Sequence, residues 1–437
     1  MSKKILFITA FFYPQNVIAS LRTSEWAKYL AKYGYDVTVL TTKKHPFLYP
    51  LGLEKNLPDN VSIVEVEFLP KIVKVFFHRE KKHQSKKIKS RYASGKVYTL
   101  KNLSKYLRNY IGSFVDIHDL WIKPALNKAE KLFEEQHFDF IISSYSPPAA
   151  HIIAHKLKLK YPRTIWIADF RDLWAYNHIS SAKGILGVLE RRKEKKILSN
   201  ADKIITVSEH LTEIMKNVYK TKEVHTIENG FDPEEFPNWK KNLIPFPKID
   251  NKLTISYLGT IYPQKRDPSI LFEAINELIE ENIVDKNQVE INFYGNNEKP
   301  LEDIIVPNNY NRYNIINIKG FVSRKESIRI QKDSDLLLFL EWNDPSAKGV
   351  LTGKLFEYLV SGTPILAVGV SNKNAAGALI EKTNTGKLFL NKEELKKELT
   401  NIFKKKEIGF YNPRIEEIEK FSRDKQVKKL ISIMEKG

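Results

Sequence analysis

The sequence predicts an α/β protein of two doubly wound, Rossmann-like domains. Short runs of apolar and β-branched residues alternate with segments of helical spacing, the signature of strands joined by crossover helices. That series occurs twice, and a stretch rich in Pro, Asn and acidic residues separates the two occurrences. The 437 residues also suit two domains at roughly 100–200 residues each. Alternating strands and helices imply parallel sheets with right-handed crossovers. In such sheets ligands lie outside the carboxyl ends of the strands, so two facing domains would form a cleft.

The first strand is read in KKILFIT, a continuous apolar run of the kind buried on both faces of a parallel sheet. Leu21, Trp26, Leu30 and Tyr33 then fall near helical spacing, and Gly34 sits where a helix should stop. DVTVLTT, SIVEVEFLP, FDFIISS, TIWIADF and KIITVS continue the strand series. Residues 231–250 read as the linker. LTISYLG, VEINFYG, IINIKGF, DLLLFLE and PILAVG are the strands of the second domain, with ILFEAINELIEE, KESIRIQKD and KLFEYLVSG as helices between them. The expected boundaries are an N-terminal domain over 1–230 with a basic insertion at 71–125, and a C-terminal domain over 251–420. A final helix at 421–437, apolar at Val427, Leu430, Ile431, Ile433 and Met434, is expected to pack back on the first domain.

Composition narrows the chemistry. There is no cysteine, which excludes disulfides, thiolate metal sites and cysteine nucleophiles. No run of about 18 apolar residues exists, so no membrane-spanning helix is expected. Lys3 and Lys4 before ILFITAFFYP resemble a short signal peptide, but the strand–helix–strand unit that follows needs this segment as its first strand. The formal net charge is +19, and residues 71–110 hold 13 basic side chains against one acidic, Glu80. Such a patch seeks anions. Interleaved with Phe76, Phe77, Tyr106 and Tyr110, it is expected to hold the protein on an anionic membrane surface at the inner face of a membrane; a solvated basic helix pair fits the same residues. No nucleic-acid motif accompanies the charge.

The segment GVLTGKLFEYLVSGTPILA carries the strongest chemical signal. Gly353 meets a helix start near Lys354, where free N–H groups and a lysine favour phosphate. Glu357 lies about one turn in, and a carboxylate there can accept both hydroxyls of a ribose. The same spacing also suits an ordinary amphipathic helix. In DFRDLW, Asp169, Arg171 and Asp172 emerge at the carboxyl end of a strand, and two carboxylates flanking a guanidinium can bind sugar hydroxyls or polarise an acceptor. A buried ion pair bracing the loop is the competing reading. Asp333-Ser334-Asp335 reads as a helix end rather than a metal site. There is no nucleophile elbow, dinucleotide fingerprint or P-loop.

GVLTGKLFEYLVSGTPILA resembles the donor-binding signature of the family 4 glycosyltransferases, which have the GT-B fold. FFYPQNVIASLRTSEWAKYLAKYGYDVTVLTT, ADKIITVSEHL, IENGFDPEEF, YLGTIYPQKRDPSILFEAI, and INFYG with IKGFVSRKES are similar to further family pieces, in the family's order. The resemblance implies a nucleotide-sugar-dependent, retaining, metal-independent hexosyltransferase with no cofactor. A UDP- or GDP-sugar would be the donor and a saccharide or polyprenyl-linked molecule the acceptor. It implies that Lys265, with Arg266, neutralises the diphosphate beside Gly259 and Thr260. Thr352, Gly353 and Lys354 would line the phosphate loop, Glu357 would hold the ribose, and backbone at Phe321 and Val322 would meet the base. Asn16, Ser20 and Arg22 would face the donor from the first domain. Departures from the family are Gly349 where a second glutamate is usual, Thr260 where an arginine is frequent, and Arg171-Asp172 where a histidine is frequent. They resemble a bacterial surface-polysaccharide branch. A GT-B epimerase, a silent scaffold and a nucleic-acid binder are the rival functions.

Overall fold

Every strand pairing in both sheets is parallel. The computed structural model describes residues 2–46, 51–53, 56–70, 116–177, 182–262, 265–341, 349 and 351–436. The chain divides into one unit of Met1–Ile227 with Val427–Gly437, and a second of Glu228–Gln426. Of the basic insertion read at 71–125, residues 71–115, with Phe76, Phe77, Tyr106 and Tyr110, lie outside the described residues, and its last residues enter the helix Asp119–Glu135. Among the described residues no helix is long and apolar enough to cross a membrane.

The first unit runs β1 (Lys4–Thr9), α1 (Ile18–Lys32), β2 (Asp36–Thr42), β3 (Val61–Val66), α2 (Asp119–Glu135), β4 (Phe140–Tyr145) and α3 (Ala149–Lys160). It continues with β5 (Ile165–Phe170), α4 (Gly184–Leu198), β6 (Lys203–Thr206), α5 (Glu209–Val218) and β7 (Glu223–Thr226). The strand order is β3-β2-β1-β4-β5-β6-β7, so the winding reverses between β1 and β4. Alternate residues of β1 serve different cores. Leu6 and Ile8 join Trp121 and Ala125 of α2, whereas Ile5 and Phe7 join Trp26 and Leu30 of α1. Val427, Leu430, Ile433 and Met434 complete that second core, and Lys203 Nζ donates to the Ile433 carbonyl at 2.7 Å.

The second unit contains α6 (Trp239–Asn242), β8 (Leu253–Leu258), α7 (Ser269–Glu280), β9 (Val289–Tyr294), α8 (Glu298–Asn308), β10 (Ile316–Gly320), α9 (Arg324–Asp333) and β11 (Leu336–Leu340). α10 (Gly353–Tyr358), β12 (Ile365–Val368), α11 (Ala375–Thr383), β13 (Gly386–Phe389), α12 (Lys392–Lys405), α13 (Ile415–Glu419) and α14 (Arg423–Glu435) follow, with α14 passing into the first unit at Val427. Its sheet order is β10-β9-β8-β11-β12-β13.

Two sequence readings are corrected. Residues 223–226, absent from the strand series read from sequence, form a seventh strand hydrogen-bonded to β6. The stretch read as a linker is part of the second unit, because Phe231, Phe236, Trp239, Leu243 and Ile249 are buried in that unit's core. Polar punctuation hid an apolar residue every few positions.

The loops at the carboxyl ends of β8 and β9 touch. Gly295 has φ +127°, and a Cβ there would lie 2.4 Å from the Gly259 carbonyl oxygen. Gly295→Ala is therefore expected to cost about 1–3 kcal/mol. A urea unfolding midpoint equal to wild type would contradict this contact.

Candidate active site

The carboxyl end of the second unit's sheet gathers most of the expected donor-side residues. The loop after β8 is held open by Asn297, which is fully buried. Its Nδ2 donates to the Gly259 carbonyl at 2.6 Å, and its Oδ1 accepts from the Ile261 amide at 2.8 Å. Tyr257 Oη donates to the Thr260 carbonyl at 3.0 Å, leaving the Thr260 side chain exposed. The Arg266 guanidinium lies 5.4 Å from the Tyr262 ring centre. Lys265 is partly exposed in the same loop.

Helix α10 is stitched to the end of β8 at two points one turn apart. Lys354 Nζ donates to the Leu258 carbonyl, and Tyr358 Oη accepts from the Leu258 amide at 3.1 Å. Burial pushes the Lys354 ammonium down to about 8, with Glu357 opposing that shift and Arg266 adding to it. Thr352 and Gly353 begin the helix, and the Thr352 side chain makes no capping bond.

Glu357 is 8% exposed and bound on both oxygens. Arg324 Nη1 donates to Oε1 at 2.9 Å, and Gln331 Nε2 donates to Oε2 at 3.1 Å. Burial alone would raise its pKa. The charge and hydrogen bond of Arg324, the Gln331 bond and the Lys354 charge outweigh burial and leave it lowered, so the group is an anion at neutral pH. Arg324 also grips Glu235, its Nε donating to Oε1 at 2.7 Å. Arg324, Gln331, Glu235 and Asn297 were not singled out from sequence. The segment FVSRKES held Arg324 in plain view, but nothing local distinguishes it from the neighbouring surface charges.

Glu341 follows β11 and was also missed. Burial pushes its carboxyl up to about 7, against an Asn374 hydrogen bond of 3.1 Å and the nearby Arg266 charge. Val322 packs on the core, while Phe321 is 65% exposed after the left-handed Gly320. Asp333-Ser334-Asp335 is a helix end as expected: α9 stops at Asp333, and Asp335 accepts from the Thr254 amide at 2.7 Å.

In the first unit two expectations are revised. Arg22 and Asp169 do not present free groups to a ligand but hold one another. Arg22 Nη2 and Nε reach the two Asp169 oxygens at 2.8 and 3.2 Å, and Nη2 also donates to the Ile227 carbonyl at 3.0 Å. Ser144 Oγ donates to Asp169 at 2.9 Å, and Trp26 lies under the guanidinium at 4.1 Å. Asp169 belongs to β5 itself and points inward, so the pair braces the sheet. Arg171 and Asp172, one turn of chain later, form a separate and more exposed pair at 3.4 Å. Asn16 is partly exposed, whereas Ser20 is buried with no hydrogen bond to its Oγ among the described residues.

His151 is buried and held near 3 by desolvation, with Nδ1 2.7 Å from Ser143 Oγ. It is a neutral core residue. His118 stacks on Phe68 with ring centres 5.4 Å apart, its Nδ1 2.5 Å from Asp116. Two further carboxylates shape the segment after DFRDLW. Glu194 accepts from the Ala175 amide at 2.5 Å and the Tyr219 hydroxyl at 2.6 Å, and Glu190 accepts from the Ala182 amide at 2.7 Å.

The sequence model of Glycosyltransferase Family 4 matches residues 105–235. No curated protein matches the chain. Among solved structures, sucrose-phosphate synthase from Thermosynechococcus elongatus is similar with a TM-score of 0.63 at 12% identity, covering 99% of this chain and 98% of that one. A glycosyltransferase from Rickettsia africae gives 0.60 at 15% identity, covering 99% and 98%. An E. coli structure described as trehalose-6-phosphate bound with UDP-2-fluoro glucose gives 0.60 at 11% identity, covering 100% and 99%. The chain has the two-domain α/β layout of the GT-B glycosyltransferases.

Arg22→Met or Asp169→Asn should each cost about 3–5 kcal/mol, because each strands a buried partner. A double replacement by apolar residues should cost less than the sum of the two, as read from denaturant unfolding; strict additivity would contradict the pairing. Burial raises Glu194 to about 7 from 4.5. Its stabilising contribution is thus fully present below about 4.5 and is lost as pH rises through about 7. Glu194→Gln should flatten the fall of stability with pH across that window. Parallel pH profiles for variant and wild type would refute the assignment.

Proposed function

We propose that this protein is a nucleotide-sugar-dependent glycosyltransferase whose donor site lies at the carboxyl end of the second unit's sheet. The observation that carries the reading is the grouping of Arg266, Lys354 and an ionised Glu357 around the loop after β8. Two cations there match a diphosphate. Glu357 retains acceptor capacity for ribose hydroxyls, since a carboxylate offers about four lone-pair positions and Arg324 and Gln331 occupy two. The family match and the fold support the same class.

When the bond from sugar to diphosphate breaks, negative charge grows on the departing phosphate. Lys265, Arg266 and Lys354 meet that charge from fixed positions, which is electrostatic preorganisation. Phosphate beside Lys354 also favours its charged form, offsetting the burial that depresses it. Gly259, Thr260, Thr352 and Gly353 let the backbone approach, and Phe321-Val322 is positioned for the base. Arg171 and Asp172 are the proposed acceptor-side pair, and Asn16, in the loop after β1, is proposed to face the donor. Asp169, Arg22 and Ser20 act through the fold that holds these loops. Transfer proceeds with retention and without a metal, from a UDP- or GDP-sugar to a saccharide or polyprenyl-linked acceptor, in surface polysaccharide synthesis at the inner membrane face.

Thermal unfolding with UDP, GDP, ADP and their sugar conjugates tests the donor assignment. A ligand at 100 times its dissociation constant stabilises by about 2.7 kcal/mol, so one nucleotide should stand out and one of its sugars should deepen the shift. Lys354→Ala and Glu357→Ala should remain folded and lose on the order of 100-fold in turnover. Wild-type turnover in both variants would sink the site.

A further inference from the structure

We propose that the outward face of α4 docks this protein onto an anionic lipid surface. A surface helix ordinarily turns its apolar stripe inward and its charges outward. α4 buries Ile197 and Leu198 at its end in this way, but its first half departs from the rule. Its two carboxylates, Glu190 and Glu194, are fully buried and occupied with backbone amides and Tyr219. Ile185, Val188 and Leu189 point out instead, at 73%, 39% and 41% exposure.

These three residues stand at i, i+3 and i+4, so they share one side of the helix. Arg192, Lys195 and Lys196 are exposed and continue the same side through the next two turns. The face therefore has an apolar first half and a basic second half, and neither of the helix's two acids lies on it. Apolar side chains inserted at the headgroup boundary, with Lys and Arg beside anionic headgroups, are how an interfacial helix binds a bilayer. A second copy of the chain would set cations against cations across the same face with no acid to meet them. Nucleic acid would use the cations and leave Ile185, Val188 and Leu189 in water.

The site deepens the proposed function by bringing the protein to the surface where a lipid-linked acceptor resides, and it rests on that reading only for its purpose. Vesicle binding is measured without donor or acceptor, so its failure and the failure of the transferase reading are separable. The experiment is cosedimentation of the full-length protein at physiological salt with phosphatidylcholine vesicles, with and without phosphatidylglycerol. Wild type should partition onto the anionic vesicles alone. A variant carrying Ile185→Ser, Val188→Ser and Leu189→Ser keeps every charge, and one carrying Arg192→Glu, Lys195→Glu and Lys196→Glu keeps every apolar group. Each should bind roughly tenfold or more weakly while unfolding at the wild-type temperature.

Unchanged binding by the triple-serine variant would assign any attachment to the basic segment at 71–115 and overturn the proposal. Equal binding to both vesicle types, or none to either, would overturn it as well. So would concentration-dependent dimers of wild type, abolished by the serine variant, in the absence of vesicle binding.

Discussion

A carboxylate that is 8% exposed stays ionised only where cations and donors meet it, and Glu357 is placed by that requirement. Arg324 satisfies it from the first turn of α9 and at the same time holds Glu235, so three separate stretches of the second unit are pinned around one guanidinium. Gln331, two turns further along α9, takes the other oxygen. Because Glu357 is fixed, α10 presents Lys354 and Tyr358 to the two sides of the Leu258 peptide. The loop after β8, where the donor phosphates are proposed to lie, starts from that peptide.

The first unit meets the same constraint at its own centre. Arg22 on α1 reaches across to Asp169 on β5, and Ser144 on the intervening β4 completes the group. These three elements straddle the point where the strand order reverses, between β1 and β4. A buried ion pair of this kind is weak evidence for extra stability, but breaking it is costly. It spends its two charges on architecture. In the second unit two groups of shifted ionisation, Lys354 near 8 at the start of α10 and Glu341 near 7 just after β11, stand where a charged ligand can change their balance.

Much of the fold was legible because parallel strands buried on both faces write continuous apolar runs. KILFIT, FIISSY, LTISYL and LLLFL all became central or near-central strands. EVHT was missed because an edge strand of four residues with Glu223 exposed and His225 half-buried carries no such run. The supposed linker was misjudged because Pro and Asn mark turns without saying whether the aromatics between them find a core. In the site, Lys354 and Glu357 were visible from a local motif. Arg324, Gln331 and Asn297 were not, since each acts on a partner at least 26 residues away.

By itself the sequence determined the alternation of elements, the two parallel sheets and the local motif on which the proposed donor site rests. These follow from periodicity and turn chemistry, which are local. Tertiary structure alone decided which charges face one another. It turned Asp169 and Arg22 into a buried brace, left Arg171 and Asp172 outside it, and turned Glu190 and Glu194 of α4 inward while Ile185, Val188 and Leu189 stayed outward. Electrostatic pairing depends on distance in space and on burial, and neither quantity exists until the chain is folded.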